Sequence, residues 1–224
     1  MIPERLSFPW TATGSILHRL WKLCGPVPDL EAGCFIAHDL ELICTPPAVQ
    51  KLRPGDDSLA AFLDRLEGDL GLQIVLLIRA GTSALGLWRD DELLAHKVIR
   101  KYVVRGSGRA QPGHLKTRGK SRYGSRLRLQ GARAQLQETN QRLLDWRAEF
   151  GRERHLFLAA PVRLLADLRS ARPAPPDGLA QATRIPFQTR TPTHAELLRA
   201  RRRLTRGLLT GPAELLEAVR DEWD

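Results

Sequence analysis

Residues 73–79, QIVLLIR, place five consecutive apolar side chains, Ile74 to Ile78, in a run of strand length. A strand with no polar face must be covered on both sides, so this one predicts the centre of a sheet with elements packed above and below it. No apolar run approaches the roughly 18 residues that cross a bilayer.

Two more strand-like runs follow, SALGLWR and ELLAHKVIRKYVV, joined by turns at Ala80 to Thr82 and at Asp90 and Asp91. Upstream, GSILHRLWKL predicts a short helix with Ile16, Leu17, Leu20 and Trp21 on one face, ended by Pro26 and Pro28. GCFIAHDLELIC reads as two strands turning near His38 and Asp39. SLAAFLDRLEGDLG reads as a helix capped by Ser58, with Leu59, Phe62, Leu63 and Leu66 inward and Gly71 at its exit.

Downstream, a helix is predicted from about Ser125 to Phe150, with Leu127, Leu136, Leu143, Leu144 and Trp146 as core contacts and Gly131 weakening its first half. Then come a strand in HLFLAAP, a short helix opened by Pro161, a turn at RPAPPDG and a last strand in ATRIPF. A helix over AELLRARRRLTR and a terminal one after Pro212 close the chain. Hairpins first and β-to-α crossings later predict an α/β (α+β) fold, a mixed β-sheet with flanking helices. The expected division is one domain over 1–210, with 1–72 assigned loosely, and a C-terminal helix over 211–224.

The length of 224 residues, with 42% hydrophobic and 27% charged, allows a real core. Cys24, Cys34 and Cys44 form no CxxC pair, so buried free thiols are expected and neither a zinc site nor a disulfide framework is. The first ten residues, MIPERLSFPW, lack the basic-then-apolar order of an export signal, and a cytoplasmic location is expected.

The net charge of +10 is concentrated in one place. From Lys97 to Arg128 stand eleven cations, Lys97, Arg100, Lys101, Arg105, Arg109, Lys116, Arg118, Lys120, Arg122, Arg126 and Arg128, without one carboxylate. Surfaces ordinarily intersperse both signs, so this segment points to a polyanion. A membrane surface would need an apolar face beside the cations, and residues 106–124 have almost none, which leaves nucleic acid. The stretch GSGRAQPGHLKTRGKSRYGS has no apolar period, and 106–124 is expected to be a long basic loop, mobile until RNA orders it. A second basic group, Arg199, Arg202, Arg203 and Arg206, recurs at three- and four-residue steps, with Arg201 beside it, and predicts one cationic face on the helix after Pro192.

Three blocks read in order, LLAHKVIRKYVVRGSGRAQ, GSRLRL opening a long helix, and IPFQTRTPTHAELLRARRRLT, together resemble one family. They are similar to the Vms-like release factor domains, relatives of the middle domain of eukaryotic and archaeal class I translation release factors. In that family an HK step and a Tyr lead into a basic Gly-rich loop ending in Gly-x-x-Gln; here these are His96, Lys97, Tyr102 and Gly108 to Gln111. The loop between Tyr102 and Gln111 is one residue shorter than in animal and fungal members, and Pro112 restricts Gln111 to extended backbone.

The resemblance covers about residues 73–206. It implies an RNase H-like sheet akin to the release-factor middle domain, and cleavage of peptidyl-tRNA on stalled ribosomal complexes. Gln111 would position water at the ester, Gly108 would let the backbone approach RNA, and His96 is a candidate proton carrier, with His114 in the loop a second. Lys97, Arg105, Arg109, Lys116, Arg118, Lys120, Arg122, Arg126, Arg199, Arg202 and Arg203 are the candidate RNA contacts. The implied partners are the large ribosomal subunit with its peptidyl-tRNA and tRNA or ribosomal RNA, the protein a ribosome-associated monomer needing no metal or cofactor. A tRNA 3′-end endonuclease and a noncatalytic RNA-binding protein are the alternatives.

Overall fold

The computed structural model describes residues 3–101 and 120–220. Its strands are β1 (Glu4–Pro9), β2 (Val27–Asp29), β3 (Cys34–Ala37), β4 (Leu42–Thr45), β5 (Leu72–Arg79), β6 (Thr82–Arg89), β7 (Glu92–Arg100), β8 (His155–Ala159), β9 (Thr183–Arg184) and β10 (Arg206–Gly211). Its helices are α1 (Thr13–Cys24), α2 (Leu59–Arg65), α3 (Lys120–Phe150), α4 (Val162–Ser170), α5 (His194–Leu204) and α6 (Ala213–Ala218). The chain divides into two compact units, residues 1–70 with 201–224, and residues 71–200.

The first unit is built on an antiparallel sheet in the order β1-β10-β4-β3-β2. The sequence predicts neither β1 nor β10; β1 has a single fully buried side chain, Phe8, and its short pattern gives little signal alone. It pairs with β10, from the far end of the chain, with Phe8 opposite Gly207. A Cβ on Gly207 would collide with the Phe8 ring, so the glycine makes room for the aromatic. Ile16, Leu17 and Leu20 of α1 are fully buried, with Phe35 and Phe62 meeting edge to face at 5.1 Å.

Trp21, expected in that core, is instead 49% exposed, because it lies about 40° past Leu17, beyond the edge of the buried stripe of α1. Ser58 does cap α2, its hydroxyl accepting from the Ala61 N–H at 3.1 Å. That helix ends at Arg65, so Gly71 is not its exit; with φ of +61° it leads into β5. The three cysteines are free, and burial pushes the Cys44 thiol far up.

The second unit holds a mixed sheet in the order β7-β6-β5-β8-β9. β5, β6 and β7 are antiparallel neighbours, and β8 and β9 run parallel to β5, which makes the sheet RNase H-like. β5 is central, as its two apolar faces require. Ile74, Leu76 and Ile78 pack with Leu136, Leu143 and Trp146 of α3 and Leu165 and Leu168 of α4. On the opposite face, a Cβ at Gly86 would lie 2.8 Å from Leu197 of α5, which shows how closely that helix approaches β6.

α3 starts at Lys120, five residues before the expected Ser125. Gln135 meets the end of the sheet at Arg79 and Gly81, so the helix N-terminal to it has no sheet to cover. Leu127, expected in the core, lies eight residues earlier, about 12 Å along the axis, and is accordingly 42% exposed. The expected strand in ATRIPF contracts to Thr183 and Arg184. The helix expected through Arg206 stops at Leu204; Arg206 opens β10 and donates to the Ser7 hydroxyl and carbonyl.

Candidate nucleic-acid interface

Strand directions decide where the basic segment leaves the fold. β7 and β5 are both antiparallel to β6, so β7 runs with β5, β8 and β9, and all four end at the same side of the sheet. Residues 102–119 lie outside the described residues and connect that side to α3. Tyr102, Arg105, Gly108, Arg109, Gln111, His114, Lys116 and Arg118, and with them the expectation of a mobile loop, fall there. Lys120 and Arg122 belong to the first turn of α3 rather than to a loop.

Two hydrogen bonds converge on one residue, Gly81, in the β5–β6 turn, one with Lys101, just before this segment, and one with Gln135, well inside α3. The Lys101 N–H donates to the Gly81 carbonyl at 2.9 Å. From α3, Gln135 accepts from the Gly81 N–H and donates to the Arg79 carbonyl and the Ser83 hydroxyl, each at 2.9 Å. Thr139 adds a 3.0 Å bond to the same hydroxyl, and the Lys101 ammonium pairs with Glu138 at 2.7 Å. A buried polar face on a helix is costly unless every group is matched; here the matches fix α3 against the sheet end.

The HK step divides between the two faces of β7. His96 stands opposite Gly86, on the face covered by α5, and its exposed ring lies over His194, with centroids 4.1 Å apart and planes inclined by 38°. The buried Nδ1 of His194 has no hydrogen-bond partner among the described residues. Lys97 stands opposite Leu85, on the α3 face, and is half-buried. His96 precedes Arg100 by four residues, about 13 Å along the strand from its end.

The third block forms a brace. Thr193 caps α5 by accepting from the Glu196 N–H at 3.1 Å, while Glu196 accepts the Arg190 N–H at 2.7 Å. Arg199 binds both oxygens of that buried carboxylate, at 2.6 and 2.8 Å, so its charge is internally compensated. The Arg199 hydrogen bond, ahead of the opposing effect of burial, holds the Glu196 carboxyl below its ordinary range. Of the expected cationic face, Arg202 and Arg203 are exposed on α5, Arg201 is buried and Arg206 is off the helix. Arg126, near the start of α3, is exposed.

Residues 73–210, from β5 through β10, match the Bacteroidetes VLRF1 release factor family. The chain belongs to that family. The match takes in all three blocks and the segment between β7 and α3, and it gives this VLRF1 member a release-factor-like, ribosome-associated role. Among solved structures, the Vms1 mitochondrial localization core is similar with a TM-score of 0.49 at 14% identity, over 88% of this chain and 83% of that one. No curated protein matches the sequence. No helix among the described residues is long and apolar enough to cross a membrane.

Reading the sequence by apolar periodicity finds β5 to β7 and the basic segment but misses Gln135 and His194. Gln135 carries no apolar signal because its work is polar, and His194 sits in the quoted PTH motif with nothing in sequence to join it to His96. For the brace, the one local signal is the capping pattern Thr193-x-x-Glu196, an acid three residues after a threonine at the start of a helix.

Proposed function

We propose that this VLRF1 member hydrolyses the ester of peptidyl-tRNA on stalled ribosomal complexes. The observation that carries the reading is membership of a release factor family across residues 73–210, with Gly108 to Gln111 standing between β7 and α3 as Gly-x-x-Gln. Water attacks the ester carbonyl, negative charge develops on the carbonyl oxygen, and the ribose oxygen leaves. Gln111 has no usable pKa, so it acts by placement: its backbone N–H donates to the developing oxyanion and its side-chain amide orients water. The vicinal ribose hydroxyl carries the proton to the leaving oxygen.

Arg105, Arg109, Lys116, Arg118, Lys120 and Arg122 hold RNA phosphates, giving affinity without base choice. The Lys101 anchor at Gly81 supports the reading, since positioning catalysis needs the segment to leave the sheet from a fixed point. An endonuclease would need a proton carrier at a phosphodiester; the ester reading needs none at His96, which is stacked on His194. The test is incubation with a defined peptidyl-tRNA on large ribosomal subunits, followed by identification of both product ends. Free peptide with intact tRNA is expected; a shortened tRNA end would replace the hydrolase with a nuclease.

A further inference from the structure

The IPFQTR segment is given no part in ester cleavage, yet the second unit goes to some length to hold it in place. Residues 185–189 have no regular secondary structure. The Ile185 N–H donates to the Leu158 carbonyl at 3.0 Å, and the Arg79 guanidinium donates to the Thr189 carbonyl. Just beyond, the Arg190 N–H is held by Glu196, whose partner Arg199 also reaches the Gln188 carbonyl at 3.5 Å. So many anchors on an irregular stretch make a preformed wall.

What the wall encloses is a cavity of about 270 Å³. Ile78, Leu158 and Ile185 contribute apolar surface, Phe187 an aromatic ring, and Arg79 and Arg184 two guanidinium groups, with no carboxylate among the lining residues. The Arg184 side chain is exposed and has no ion-pair or hydrogen-bond partner among the described residues. Arg79 gives one nitrogen to Thr189 and keeps its other donors.

The place in the fold matters as much as the lining. β5 and β8 are parallel neighbours whose onward connections diverge, β5 turning into β6 and β8 passing through α4 to β9. In open α/β sheets ligands bind in the crevice outside the carboxyl ends of such a pair. The cavity opens there, at the sheet end where β7 also finishes, and β7 is two inter-strand spacings from β5, roughly 10 Å.

We propose that this cavity holds one unpaired nucleotide of an RNA strand. A flat apolar base suits the aliphatic and aromatic walls, and Arg184 with Arg79 suits the phosphate it carries. An acidic peptide side chain would leave the apolar walls unfilled. The proposal rests on the RNA-binding half of the function above and not on its ester chemistry.

The test is fluorescence anisotropy of a 5′-labelled, unstructured octaribonucleotide with the full chain at low salt. Arg184→Glu, at an exposed position, and Ala160→Trp, which puts an indole into the cavity, are each expected to weaken binding about ten-fold or more. A duplex RNA, whose bases are already stacked, is expected to lose under about two-fold with Ala160→Trp. Should Ala160→Trp melt below the assay temperature, Phe187→Ala takes its place with the same expectation. Wild-type affinity for the octamer in both variants overturns the proposal, as does an equal loss for duplex, which would mean a phosphate surface only. Adenosine monophosphate displacing the octamer at concentrations below the octamer's own Kd also overturns it, in favour of a free-nucleotide site. No ester is present in the assay, so the outcome is independent of whether the protein cleaves peptidyl-tRNA.

Discussion

Replacing Gln135 by alanine tests whether polar contacts seat α3 at the sheet end. The side chain makes three hydrogen bonds, to the Gly81 N–H, the Arg79 carbonyl and the Ser83 hydroxyl, and is 1% exposed. At about 1 kcal/mol net per bond the loss is near 3 kcal/mol, and the buried Gly81 N–H, left without a partner, can only add to it. Ser83 keeps Thr139 and should not add. For a chain of this size that is a fall in Tm of roughly 10 °C. Gln141→Ala is the matched control, since that exposed amide on the same helix bonds only to Asp145 and its removal should cost about 0.5 kcal/mol or less. Thermal and urea unfolding followed by circular dichroism would measure both. If Gln135→Ala unfolds within about 1 kcal/mol of wild type and of Gln141→Ala, the network does not fix the helix and the reasoning is wrong.

Reversing the charges of Lys116, Arg118, Lys120 and Arg122 together should flatten the salt dependence of ribosome or tRNA binding, measured by co-sedimentation or anisotropy; an unchanged slope would move the RNA surface elsewhere, with Arg202 and Arg203 next to test. Acid should destabilise the fold through Asp56, whose carboxyl is held low by hydrogen bonds from Arg65, and Glu196, held low by Arg199. Both folded pKa values are depressed, so the stabilisation is present above the unfolded value of about 4 and is lost as pH falls through the lower folded one. Unfolding free energies between about pH 3 and pH 6 should therefore drop on acidification, and less so in Glu196→Gln; an equal drop in that variant would assign the acid sensitivity elsewhere.

The second sheet is legible in the sequence because its signals are local. Ile74 to Ile78 is apolar on both faces, Asp90 and Asp91 mark a turn, and Pro161 opens a helix, so each element announces itself within a few residues. β1 and β10 are not, since each is recognisable only beside the other, some two hundred positions away along the chain. Leu127 is misplaced by such a reading because periodicity shows which face of a helix is apolar but not where the sheet beneath it ends. The basic segment is plain in the charge pattern, whereas the Arg199 to Arg206 face is not a single surface: Glu196 compensates Arg199 and a strand claims Arg206. The pairing of His96 with His194 depends on α5 crossing β6 at Gly86, a tertiary fact with no local signature.

The central claim is that Gln111 positions water at the ester, and single-turnover cleavage of peptidyl-tRNA on large ribosomal subunits tests it most directly. Gln111→Ala should lower the rate by roughly ten-fold or more while leaving ribosome affinity nearly unchanged, because the amide is uncharged and adds little to phosphate binding. Residual activity is expected, since the backbone donor survives. Arg109→Ala should do the converse, weakening binding with a smaller loss of rate at saturation. Cleavage by Gln111→Ala at the wild-type rate, or no cleavage by the wild type on any ribosomal peptidyl-tRNA complex, would contradict the account.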